Sequence, residues 1–201
     1  MKTQMTLIYA KQTGNVLAVV TRAASGGAAQ PGDLTEEKQK ELEQQELADL
    51  MGAELLVRHV TTGPATPSDA EFAVPAASLG VFTTNADAAV IKNYRDFAFD
   101  ATEKQLKPLA TTSLPAVALQ GSNAVKVTLV NDVTEDTDVW VLIQAEGAGL
   151  PKSQVAKGVI LKTDADKKNK TMTIQALTPS ENYALLALVT GFVPVADEDT
   201  A

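Results

Sequence analysis

The chain has no cysteine, one histidine, and only one tryptophan, three tyrosines and five phenylalanines in 201 residues. Without cysteine there is no disulfide, no thiolate nucleophile, no iron–sulfur ligation and no cysteine zinc site. One histidine is too few for the usual zinc ligand sets, which leaves oxygen-ligand metals alone. The scarcity of aromatics leaves few platforms on which bases or sugars stack. Positive charge is also short: 17 Lys and Arg stand against 25 Asp and Glu, a formal net charge of −8. That balance disfavours sequence-independent binding to nucleic acid or anionic lipid, both of which need concentrated positive charge. No apolar run approaches the roughly 20 residues that cross a bilayer. The opening Met1-Lys-Thr-Gln-Met5 likewise lacks a sustained apolar stretch before polar Lys11-Gln-Thr-Gly-Asn15. The expectation is cytoplasmic synthesis without membrane insertion, which is also compatible with later release as part of a particle.

What is present is mostly β-forming sequence. Thr6-Leu-Ile-Tyr-Ala10 and Val16-Leu-Ala-Val-Val-Thr21 flank a Gly14-Asn15 turn and read as a hairpin. The small, Gly- and Pro-containing stretch 23–32 reads as a loop. Residues 33–51 are the one convincing helix, with Asp33 and Glu36 in capping-box spacing and Gly52 placed to end it. Its apolar positions, Leu34, Leu42, Leu47, Leu50 and Met51, are sparse, and residues 36–49 hold six acids and two lysines. Most of that helix should be solvated, with only its last two turns docked. Residues 53–60, 71–74, 79–83 and 94–99 read as strands, the last by its alternating aromatics. Asp87-Ala-Ala-Val-Ile-Lys92 is ambiguous between helix and strand. Residues 104–115 are the best linker, and a boundary near Thr112 divides the chain into a β-rich part with one acidic helix (1–111) and a second part (112–201).

The second part carries strand candidates at 116–119, 124–130, 137–144, 155–163, 171–177 and 182–189, with a short finish at 192–195. Trp140 is a natural core anchor. Between the fifth and sixth of these lies Leu177-Thr-Pro179-Ser-Glu-Asn-Tyr183. A Leu-x-Pro-x-x-x-Tyr run between apolar strands closely resembles the tyrosine corner at which fibronectin type III and related immunoglobulin-like β-sandwiches cross from one sheet to the other. The resemblance implies that the Tyr183 ring packs on the core while its hydroxyl reaches back to a backbone group upstream. With six or seven short strands, it implies an immunoglobulin-like sandwich over 112–201. The end of the chain departs from that pattern, because little more than Gly191 separates Val189 from Phe192-Val-Pro-Val195 before the acidic Ala196-Asp-Glu-Asp-Thr200. A stunted last strand would leave an unpaired sheet edge, to be covered by the N-terminal hairpin or by a neighbouring subunit through strand addition.

Chemistry-bearing motifs are few. His59 sits in a strand-like stretch with no adjacent nucleophile or orienting carboxylate. Glu146-Gly-Ala-Gly-Leu-Pro-Lys152-Ser153 lacks the Gly-x-x-x-x-Gly-Lys-Ser spacing, and Pro151 has no N–H to offer a phosphate. Asn131-Asp-Val-Thr-Glu-Asp-Thr-Asp138 is rich in oxygen ligands, so Asp132 to Asp138 is the place for a weak calcium site. Asp164-Ala-Asp166 opens like an EF-hand loop but continues with Lys167 and Lys168, and reads better as a solvated turn. No catalytic, cofactor-binding or metal-ligating residue is assigned, and no cofactor is expected. The chain is expected to be a non-enzymatic structural or adaptor subunit that partners other protein subunits, in an assembly of the phage-tail-like kind. Two alternatives stand beside it: a ligand- or carbohydrate-binding sandwich, and a hydrolase using carboxylates or a metal.

Overall fold

A computed structural model describes residues 3–23, 36–50, 54–61, 69–145 and 153–201. The chain is mainly β, built from several small sheets. The N-terminal hairpin forms from β1 (Thr3–Ala10) and β2 (Val16–Ala23) around the turn at Gly14. Gly14 has φ 77°, and a Cβ there would lie 2.8 Å from the Phe99 carbonyl oxygen, so both conformation and space demand glycine. Helix α1 (Glu36–Leu50) follows. Asp33, Leu34, Met51 and Gly52, which carried the predicted cap and ends of the helix, lie outside the described residues.

Strands β3 (Glu54–Val60) and β4 (Asp69–Pro75) pair with each other, and β5 (Leu79–Asn85) adds to β1 to give the order β2-β1-β5. The ambiguous stretch after β5 resolves as a second helix, α2 (Ala88–Lys92). The Asp87 carboxylate caps it, accepting from the Ala89 and Val90 N–H groups at 2.8 and 3.4 Å. One helix was expected and the described residues form two, because the cap supplies what so short an apolar run lacks. Strand β6 (Phe97–Asp100) pairs with β7 (Gln105–Pro108). The predicted linker 104–115 therefore begins with a strand, anchored by Lys107 Nζ, which meets Asp100 Oδ2 at 2.6 Å.

The remaining strands are β8 (Ala116–Leu119), β9 (Ala124–Thr128), β10 (Thr137–Ala145), β11 (Gln154–Ile160), β12 (Asn169–Thr173), β13 (Asn182–Val189) and β14 (Val195–Thr200). They form a β-sandwich of a four-stranded sheet, β11-β10-β13-β14, on a three-stranded one, β12-β9-β8. Alternation sorts the side chains. Val139, Val141, Ile143, Leu185, Ala187 and Val189 face Val117, Val125, Val127 and Met172 in the sandwich core. Trp140, Leu142, Ala184, Leu186 and Leu188 face the other way and pack with Ile8, Ala10, Leu17, Val57, Phe72, Val74 and Leu79. The four-stranded sheet is thus buried on both faces, and the N-terminal segments share a core with it across the position of Thr112.

The end of the chain departs from expectation. A short finish at 192–195 was predicted, but the strand is β14, made from the acidic tail and paired with β13 from Asn182↔Thr200 to Ala187↔Val195. Its carboxylates do not prevent pairing, because neighbouring donors meet them. Asp199 Oδ2 accepts the Leu119 N–H at 2.8 Å, and the Thr61 hydroxyl donates to Glu198. The preceding loop is also pinned: Ala110 and Gly191–Val193 exchange backbone hydrogen bonds of 2.8 and 3.1 Å, and Asn15 Nδ2 donates to the Phe192 carbonyl at 2.8 Å. The edge beyond Val189 is filled by the chain itself.

Candidate interaction surfaces

His59 lies on β3 opposite Ala70. Burial, reinforced by the positive charge of Arg95, lowers its pKa to about 4, so the ring is neutral at physiological pH. Its Nε2 is buried and accepts or donates no hydrogen bond. Arg95 is itself occupied, its Nη2 donating to the Arg58 carbonyl at 2.6 Å. Among the described residues, nothing around His59 has the arrangement of a nucleophile, base and orienting acid.

Three of the four carboxylates of 132–138 are engaged elsewhere. Asp132 pairs with Lys168 at 3.6 Å, Asp136 accepts the Lys162 N–H at 3.0 Å, and Asp138 accepts from Gln12 Nε2 at 3.3 Å. Among the described residues no three acids or histidines gather where they could hold one ion. Asp166 closes its turn by accepting from Asn169 Nδ2 and from the Lys168 and Asn169 N–H groups. The Asn169 side chain and then the Lys168 N–H lower its pKa. Of the Gly-rich stretch 146–153, only Ser153 is among the described residues. Its Oγ accepts the Ala73 N–H at 2.8 Å and donates to Gln144 Oε1 at 3.0 Å, sealing the free side of β4. Tyr183 is buried, and its hydroxyl accepts the Thr178 N–H at 2.9 Å while donating to Glu181 Oε2 at 3.3 Å.

Two surfaces were not anticipated. The first is apolar. Leu114, Val130 and Leu161 are 39, 54 and 38% exposed, and all three sit at the same end of the sandwich. The β8–β9 ladder ends at Ala116↔Thr128, with Leu114 two residues before β8 and Val130 two residues after β9. The loop bearing Val130 is tied to the one after Leu161, since Leu129 N–H donates to the Lys168 carbonyl at 2.8 Å and Val133 N–H to that of Lys167 at 3.0 Å. The expected strands 124–130 and 155–163 took in Val130 and Leu161, which hid their exposure; the strands end at Thr128 and Ile160.

The second surface is the flank where α1 lies on β5. The side of the helix that docks carries acids: the Thr83 N–H donates to Glu43 Oε1 at 3.3 Å, and buried Glu46 pairs with Arg22 of β2. The expectation of a largely solvated helix holds for Glu36, Glu37, Glu41 and Asp49, which are exposed, but not for Glu46. A groove of about 310 Å³ remains between helix and strand, lined among others by Tyr9, Lys40, Leu47, Gly80 and Val81. A Cβ on Gly80 would come within 2.4 Å of the Tyr9 ring, so glycine there is what lets the ring lie across the strand. A more polar groove of about 560 Å³ runs between Ser153–Val155 and Thr173–Gln175 on the open side of the sandwich, with no titratable side chain among the described residues that line it.

Among the described residues no helix is long and apolar enough to cross a membrane. The chain matches no protein-family model, no curated protein and no solved structure.

Proposed function

We propose that this protein is a non-catalytic structural or adaptor subunit of a larger protein assembly, with the loop end of its sandwich as a contact surface. The observation that carries the reading is the grouping of Leu114, Val130 and Leu161. Single exposed apolar side chains are ordinary, but several on one loop end are what a protein contact would cover. Two features support the immunoglobulin-like, fibronectin type III-like reading of this part of the chain: the Tyr183 bond to the Thr178 N–H, and a three-stranded sheet facing a four-stranded one. Phage-tail-like particles, where such domains are added to capsid, tail and baseplate proteins, are the kind of assembly this points to by analogy of fold and composition.

The test compares the wild-type protein with a Val130→Asp, Leu161→Asp double variant by sedimentation of source-cell lysate and by mass of the purified chain. Both positions are exposed, so the variant should keep its circular dichroism. The wild type should sediment with a complex far larger than the 21.1 kDa chain, and the variant should be released from it. A wild-type protein that remains a monomer in both settings sinks the reading.

A further inference from the structure

In an antiparallel pair, alternate residues direct both backbone groups away from the partner strand. Thr83, opposite Thr6 of β1, is one of these, and its outward N–H is the group that Glu43 accepts. Val81, two residues earlier, has the same orientation. Strand β5, Leu79-Gly-Val-Phe-Thr-Thr-Asn85, has no charged residue and no proline, and its register with β1 is free of bulges. Those are the devices by which a strand protects its own free edge. The edge at Thr83 is protected by something else, helix α1. The helix is a poor fit for that task, since Leu42 and Leu47 are only half-buried, the 310 Å³ groove stays open beneath it, and its polar attachments are Glu43 and the Glu46–Arg22 pair.

We propose that β5 is an association edge and α1 its removable cover: with the helix displaced, β5 pairs antiparallel with β5 of a second copy of this chain. The product is a continuous sheet in the order β2-β1-β5-β5-β1-β2 across a two-fold axis. This inference rests on the assembly reading and names one partner for it. A second copy is the occupant because an isologous contact sets each residue of the edge against the same strand, and an uncharged strand meets itself without like-charge repulsion. Among the described residues, displacing α1 gives up one carboxylate hydrogen bond, one ion pair and a loosely filled groove. Pairing supplies backbone hydrogen bonds along the edge and covers Val81.

Sedimentation velocity from micromolar to millimolar concentration tests this on three full-length proteins. The wild type should show a monomer–dimer equilibrium. Glu43→Ala with Glu46→Ala loosens the cover and should lower the dimer dissociation constant at least about tenfold, because it removes two charge-assisted contacts that compete with pairing. Val81→Pro should abolish the dimer, because the ring blocks the free side while the N–H it removes is not part of the β1 ladder. If Val81→Pro loses its circular dichroism, amide exchange at Thr83 in the double variant decides. Protection that rises with protein concentration supports pairing, and protection independent of concentration overturns it. A double variant that stays monomeric, or a folded Val81→Pro that still dimerises, also overturns it. If the chain forms no dimer yet enters a large complex through Val130 and Leu161, only this inference falls.

Discussion

The sheet β11-β10-β13-β14 packs on another sheet with one face and on an assortment of hairpins with the other. On the sandwich face, valines and leucines of β10 and β13 meet Val125, Val127 and Met172, and the buried hydroxyl of Tyr183 is hydrogen-bonded. On the N-terminal face Trp140, Leu142 and Leu186 meet side chains from β1, β2, β4 and β5, and there the polar groups are less well matched. Trp140 Nε1 and His59 Nε2 have no hydrogen bond, and neither do Thr13 Oγ1 and Asn15 Oδ1, in the turn that ties the N-terminal hairpin to the rest. Each buried group left unpaired costs about 1–3 kcal/mol. The two faces bury similar kinds of side chain, so apolar area does not separate them. What separates them is polar satisfaction, and the N-terminal layer should open before the sandwich does.

Trp140→Ala is the strongest way to break this comparison. The side chain is fully buried on the N-terminal face, and its loss should cost about 3–5 kcal/mol in chemical denaturation. Amide exchange should then speed up in β1 and β4 while β9 and β12 keep their protection. Equal loss of protection in all four would mean that both faces belong to a single cooperative unit. Tyr183→Phe is the smaller converse. It removes the acceptor of the Thr178 N–H and should lower stability by about 1–2 kcal/mol, with the exchange confined to the β12–β13 crossing and β1 unaffected.

Much of the sandwich was legible because local rules and burial agree there. Strands of period two, a turn after each, and the Leu177-to-Tyr183 run describe a region whose inner face is set by alternation alone. The double burial of β13 was legible too, in the unbroken Tyr183-Ala-Leu-Leu-Ala-Leu-Val189, since a strand with one wet face would alternate with polar residues. The acidic terminal strand was not legible. Nothing in Val195-Ala-Asp-Glu-Asp-Thr200 favours a strand until the Leu119 N–H and the Thr61 hydroxyl, distant in the chain, are in place. For the same reason the docking of α1 through Glu43 and Glu46 was hidden. Sparse leucines suggest where a helix docks by hydrophobicity, whereas here the docked side answers a free strand edge and an arginine that only the fold brings there. Leu114 and Val130 were readable singly, but their lying at one end of the sandwich depended on the pairing of β8 with β9.

The mildest test of the comparison is pH. His59 has an ordinary pKa of 6.5, lowered to about 4 in the folded protein, first by burial and then by the Arg95 charge. Between those values the unfolded chain binds more protons than the folded one, so stability falls as the medium is acidified through that window. The contribution is fully present above pH 6.5, lost progressively below it, and constant once pH passes below about 4. Carboxylates titrate in the same region, so the useful quantity is the difference between wild type and His59→Gln, in which their effects cancel. At neutral pH the two proteins should have nearly equal urea midpoints, because both side chains are uncharged. On acidification the wild type should lose stability faster, and the extra loss should appear first as exchange in β3 and β4, on the N-terminal face. Parallel curves would mean that protonated His59 is accommodated in the fold, and the contrast between the two faces would then rest on Trp140, Asn15 and Thr13 alone.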